Sequence, residues 1–264
     1  MWTMLVPGLA HLRLGHAARA LMAFLTSVGL FALGAWMVGD RVWYFQLFEP
    51  FAFLEPVLRY VPLQLLPESP NLGCCIVFSM VREAPVGDQA MWDWMRSIRL
   101  PVPGEHLGLL LMGSTGIINA LWCADAHWLA QERPAVKPAP AMAAALSWLL
   151  PGSGHVAVGQ KDKGILVGVA VIAMFALGLV LSYGHGVDRP LRSAWWIPQI
   201  LFGGGTAFTS VVTAPMEEGA PSPFMDHGVA MCAVAGLMNL VVMIDAYTIA
   251  ESKADEAPVD GGDV

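Results

Sequence analysis

Two histidines, two aspartates and two asparagines are the residues of this chain whose types and spacing could do chemistry. His11 sits in Pro7-Gly8-x-x-His11-x-x-x-Gly15, and His155 sits in Pro151-Gly152-Ser153-Gly154-His155-x-x-x-Gly159. Asn119 with Asp125 and Asn239 with Asp245 lie near the ends of two apolar runs. Acids and amides at such positions invite a translocation or proton-pathway reading, because ionisable groups inside membrane spans are rare and face protein or a watery cavity. A weaker version gathers His11, His155 and the two aspartates into one metal or proton site.

Plainer readings stand beside these. Each histidine can be a turn residue whose ring bonds exposed backbone, since irregular backbone at membrane depth must be satisfied. Each Asn and Asp can bond between helices or anchor a helix end. Asn119 and Asp125 are six apart, roughly 240° around a helix, so they form no dyad on one face. One histidine per motif falls short of a metal site. Gly113-Ser114-Thr115-Gly116 lacks the serine position of an intramembrane protease. The sequence contains no Cys-x-x-Cys or His-Glu-x-x-His, and no carboxylates paired at working distance. The expectation is therefore no catalytic, cofactor or metal residue, no bound cofactor and no enzyme. His11, Asn119, Asp125, His155, Asn239 and Asp245 are structural or transport positions, and Pro7, Gly8, Gly15, Pro151, Gly152, Gly154 and Gly159 are turn positions.

The elements that must hold these residues belong in a membrane. The chain has 264 residues, 56% hydrophobic and only 13% charged. Residues 20–38, 164–183 and 197–214 carry no Asp, Glu, Lys or Arg; residues 107–130 and 228–250 carry only Asp125 and Asp245. Runs of about 18 or more apolar residues match a hydrocarbon core ~30 Å thick. The first run is too long for a cleavable signal and reads as an uncleaved span. Residues 43–80 are harder, with several charges and prolines; they suggest an interfacial segment and a broken span near residues 62–80. Residues 91–100 read as an interface-lying helix. Glycines at 164 and 168, at 108 and 116, and at 228 and 236 let helices approach closely, and Gly203-Gly204-Gly205 marks a kink or a break. A net charge of −7 without a basic stripe excludes nucleic acid as a partner. The four cysteines read as small buried residues.

The chain also repeats itself. An offset of 144 sets Pro7, Gly8, His11 and Gly15 on Pro151, Gly152, His155 and Gly159, and an offset of 120 sets Asn119 and Asp125 on Asn239 and Asp245. Two ordered blocks imply an internal duplication: a first repeat at 1–130, a linker at 131–141, a second repeat at 142–250 and a disordered acidic tail at 251–264. The run of about ten apolar residues before Pro151 is too short to cross a bilayer, so a half-helix should turn at Pro151-Gly152 and lead back to the surface.

The Pro151-Gly152-Ser153-Gly154-His155 string, its Gly159 and the closing run from Asn239 to Ala246 resemble a family of small bacterial polytopic membrane proteins distantly similar to the two-transmembrane-hairpin domain. That resemblance implies architecture and no activity.

The fold expected is an all-α, polytopic transmembrane bundle of about six spans, with seven as an alternative if residues 140–157 cross. Three crossings per half would set the halves upside down relative to each other, whereas the basic residues beside both turn motifs favour one side. Counted over six spans, eight basic residues lie on one side and six on the other, which fixes no orientation. The leading function is a non-enzymatic structural or accessory protein of the bacterial inner membrane, in contact with the lipid bilayer and with itself or other membrane proteins. The alternative is a small-solute, ion or proton transporter with its pathway between the repeats.

Overall fold

A computed structural model describes residues 2–39, 42, 65–81, 104–133, 135–190, 192–213 and 222–256. The expected interfacial helix at 91–100 and the start of the broken span at 62–64 lie outside the described residues. Among those described, the main elements are all α-helices, in the order α1 (Trp2–Leu5), α2 (Leu9–Arg13), α3 (Ala17–Val38), α4 (Leu72–Val81), α5 (Glu105–Leu129), α6 (Pro140–Leu149), α7 (Ser153–Ala157), α8 (Lys161–Leu181), α9 (Ser193–Gln199), α10 (Gly203–Val212) and α11 (Met225–Asp255). Four of these, α3, α5, α8 and α11, are long and apolar enough to cross a membrane. Their outer faces carry large bare apolar side chains, with Trp36 80% and Leu166 72% exposed, a surface suited to lipid rather than water.

The four long helices form two antiparallel pairs. Arg19, near the start of α3, meets Asp125, near the end of α5; Lys163, at the start of α8, meets Asp245 in the last third of α11. At the opposite end glycines let each pair close: a Cβ on Gly34 would sit 2.5 Å from the Gly108 oxygen, and one on Gly178 2.7 Å from the Gly228 oxygen. We call these the turn end and the far end. Arg133, just past α5, pairs with Glu251 and Asp255 of α11. The ends of α5 and α11 therefore lie together, and the two pairs stand the same way up.

The shorter helices form hairpins that enter between the long ones and leave by the side they came from. From the turn end, α6 runs inward, the chain turns at Pro151-Gly152, and α7 returns. Ala143 and Val158, on the two arms, share a cluster with Ala246 and Ala250. From the far end, α9 runs inward to a turn at residues 200–202 and α10 returns, so that the Thr213 hydroxyl donates to the Gly184 carbonyl at 2.7 Å. Tip meets tip: a Cβ on Gly204, in the first turn of α10, would lie 1.9 Å from the carbonyl oxygen of Leu149, the last residue of α6. Ten residues of α6 and ten of α10, at ~1.5 Å per residue, make a jointed path of about 30 Å. The negative end of one half-helix faces the positive start of the next. In the first half α1 and α4 meet likewise, a Cβ on Gly73 falling 1.8 Å from the Leu5 oxygen.

This arrangement corrects three expectations. Residues 140–157 turn back instead of forming a seventh crossing. The run 197–214 does not form one continuous helix: the chain turns at residues 200–202 between α9 and α10, and each arm is too short to cross alone. The inverted relation of the halves is absent, because each half holds two helices long enough to cross, an even number, and the two pairs stand the same way up. Of the expected tail, residues 251–255 continue α11, paired with Arg133, and residues 257–264 lie outside the described residues.

Candidate functional site

The six polar residues fall into two kinds of site, each present in both halves. The first lies where the hairpin tips meet. Asn239 is the fifteenth residue of α11 and fully buried. Its amide nitrogen donates to the Ser147 carbonyl at 3.0 Å and to the Leu201 carbonyl at 2.9 Å. Ser147 lies in the last turn of α6, where carbonyls have no partner within the helix; a single amide with two hydrogens therefore ties both hairpin tips to a long helix. Asn119, the fifteenth residue of α5, does the same for Thr3, at 3.1 Å, and Pro70, at 2.8 Å. Ser147 follows Thr3 at the same offset of 144 that relates the histidines.

The second kind lies at the turn end. Gly152 and Gly8 hold φ of 80° and 85°, a region that side chains other than glycine rarely adopt. A Cβ on Gly152 would lie 1.9 Å from the Gly164 oxygen, and one on Gly8 2.3 Å from the Ala20 oxygen. Pro151 likewise backs onto Gly168, so the glycine stripe of α8 receives the hairpin turn. Gly154 packs on the Ala143 carbonyl, and Gly15 and Gly159, with φ of 82° and 91°, reverse the chain into α3 and α8. Pro7, beside Gly8, is buried in the first of these turns.

These turns bury His11 and His155 completely. The His11 Nε2 lies 3.1 Å from Asp125 Oδ2, and the His155 Nε2 lies 2.6 Å from Asp245 Oδ2. A carboxylate only accepts, so Nε2 donates in each pair; both Nδ1 atoms are buried without a hydrogen-bond partner. Each aspartate is held a second time by a cation, Arg19 at 3.0 Å and Lys163 at 2.6 Å. The rings thus bond carboxylates rather than backbone, and each histidine joins the aspartate of its own half. The four residues do not form one site. Among the described residues, no group of three or more His, Cys, Asp or Glu is placed to hold a metal.

Arg19 and Lys163, also 144 apart, are partners that residue type alone did not nominate; their alignment in the repeat was the available signal. Glu68, Arg189 and Gln199 were missed as well. Glu68 and Gln199 are 131 apart, an offset that also sets Leu72–Val81 on Gly203–Val212. Both are fully buried. Gln199 donates to the Gly186 and Val229 carbonyls at 3.0 and 3.2 Å. Glu68 meets Arg189 through both oxygens, at 2.6 and 2.9 Å, and Arg189 also donates to the Leu109 carbonyl at 2.8 Å.

Comparison with known proteins adds a family. A model described as a family of unknown function (DUF6677) matches residues 1–138 and 142–257, a pattern consistent with tandem duplication. No curated protein and no solved structure matches the chain.

Proposed function

The chain belongs to this family of unknown function, DUF6677, and from its geometry we propose that it is a non-enzymatic, multi-pass protein of the bacterial inner membrane. On this reading it arose by tandem duplication and serves as a structural or accessory subunit, packing against lipid and against itself or partner membrane proteins. One observation carries the proposal: the polar groups that could line a path are instead spent on holding helix ends. Asn119 and Asn239 bond hairpin tips, while Asp125 and Asp245 bond a histidine and a cation of their own halves. The tips leave no room between them, with Gly203 against the Trp148 ring and Gly204 against Leu149. The half-helices enter and leave by the same side, so they add apolar segments without adding a net crossing, which reconciles six apolar segments with four long helices.

A transporter is the second reading, favoured by the interrupted crossings, since half-helix ends near a bilayer midplane are where substrate and ion sites form. Purified protein in sealed vesicles separates the two. Proton and potassium flux should equal that of empty vesicles and should not change in the Asp125→Asn, Asp245→Asn double variant. Flux that the wild type supports and the double variant loses would establish transport. Purification in mild detergent should yield an assembly larger than one chain, whose composition names the partner.

A further inference from the structure

The Glu68–Arg189 pair is a buried ion pair that joins the two halves, and the second half has a neutral glutamine at the corresponding position. Glu68 lies in the tip turn before α4, and Arg189 lies in the segment leading into α9. In the second half, Gln199 fills the position of Glu68 and donates directly to the Val229 carbonyl, which follows Leu109 at the offset of 120. A carboxylate cannot donate, so in the first half the corresponding Leu109 carbonyl takes its side-chain hydrogen bond from elsewhere. Arg189 supplies it from the opposite half, bridging carboxylate and carbonyl while lying over the Trp196 ring at 4.7 Å. A glutamine that closes one half upon itself is thus matched by a glutamate that requires an arginine from the other.

We propose that Glu68 and Arg189 are a docking key that fixes how the second half seats on the first. The reciprocal key is missing from the sequence: Gln199 stands at the position of Glu68 and carries no charge to pair with an arginine. The pair can therefore form in one order only. Burial makes the selection strict. The side chains are 0% and 2% exposed, and a buried charge deprived of its partner is strongly destabilising, whereas replacing both charges with neutral groups often is not. Specificity of register is the best-attested use of such pairs.

The experiment uses the full chain in detergent. Arg189→Leu should lower the unfolding temperature by about 10 °C or more, and the Glu68→Gln, Arg189→Leu double variant, which rebuilds the Gln199 arrangement, should recover at least half of that loss. If Arg189→Leu gives no folded protein, recovered yield of the double variant is the readout. A protease site placed in the linker then tests docking itself. Wild-type halves should remain together after cutting, while those of the double variant should exchange with a tagged copy. An Arg189→Leu chain as stable as wild type, a double variant no better than Arg189→Leu, or cut double-variant halves that refuse exchange would overturn the proposal.

Discussion

The two tip junctions share a backbone but not a filling, and the difference shows which of their residues the geometry demands. Around Asn119 the filling is polar. A π-helical turn at Leu25–Gly29 in α3 buries Ser27, whose hydroxyl donates to Asn119 Oδ1 at 3.4 Å and whose carbonyl accepts from Asn71 at 3.1 Å. A π turn takes one carbonyl out of the regular ladder, and Asn71 occupies it. Around Asn239 the corresponding residues are Val171, in an uninterrupted helix, and Phe202. Phe202 stacks edge-on against Phe175 at 4.9 Å, and Trp148 donates its indole hydrogen to the Ile200 carbonyl at 2.8 Å. The asparagine amide, the abutting glycine, the two carbonyls it ties and a glycine that receives a proline carbonyl, Gly116 on Pro67 and Gly236 on Pro198, are common. Those are the parts that close a half-helix joint; the rest is packing that either chemistry can supply.

Breaking the shared parts should therefore hurt both halves, and the clamp should hurt most. Asn239→Leu strands two buried carbonyls at about 1–3 kcal/mol each, so a loss of roughly 2–6 kcal/mol is expected in chemical unfolding, with Asn119→Leu comparable. Gly204→Ala and Gly73→Ala push a methyl into a carbonyl that cannot retreat and should lose about 1–3 kcal/mol by the same measurement.

The turn-end locks should separate the halves. The Asp125 side chain is 11% exposed and that of Asp245 38%. His11 is further packed edge-on against Trp122, whose indole bonds Thr26 at 2.9 Å. Asp125→Asn should thus lower the unfolding temperature more than Asp245→Asn, whose lost pair is partly solvated and worth at most about 1 kcal/mol. Equal effects would mean that burial does not set the strength of the lock. A last variant, Val171→Ser, sharpens the comparison. The second half lacks the π turn that aims Ser27, so the new hydroxyl should leave Asn239 Oδ1 unpartnered and, with buried methyls lost, destabilise by roughly 1–3 kcal/mol. A clear gain would show that polar filling transfers without the turn.

Much of this was legible beforehand. The turn motifs, the long apolar runs and the polar residues that hold the joints are visible as types at recurring offsets. Their partnerships were not, because His11 meets Asp125 across 114 positions, a contact that exists only once α3 and α5 are known to run antiparallel. Residues 197–214 read as a span because hydropathy counts apolar residues and does not register that the chain turns back at residues 200–202. Glu68 was read as an awkward charge in a proline-rich stretch, since nothing in its neighbours announces an arginine 121 residues later.

The account turns on the far-end hairpin, α9 and α10, returning to the side it left. Single cysteines placed at Tyr183, Phe224 and Lys137, in a chain cleared of Cys74, Cys75, Cys123 and Cys232, can be labelled with a membrane-impermeant maleimide in sealed vesicles of known orientation. Tyr183→Cys and Phe224→Cys should react from the same side and Lys137→Cys from the other. Labelling of positions 183 and 224 from opposite sides would mean that the segment between them crosses outright, and the jointed architecture would be wrong.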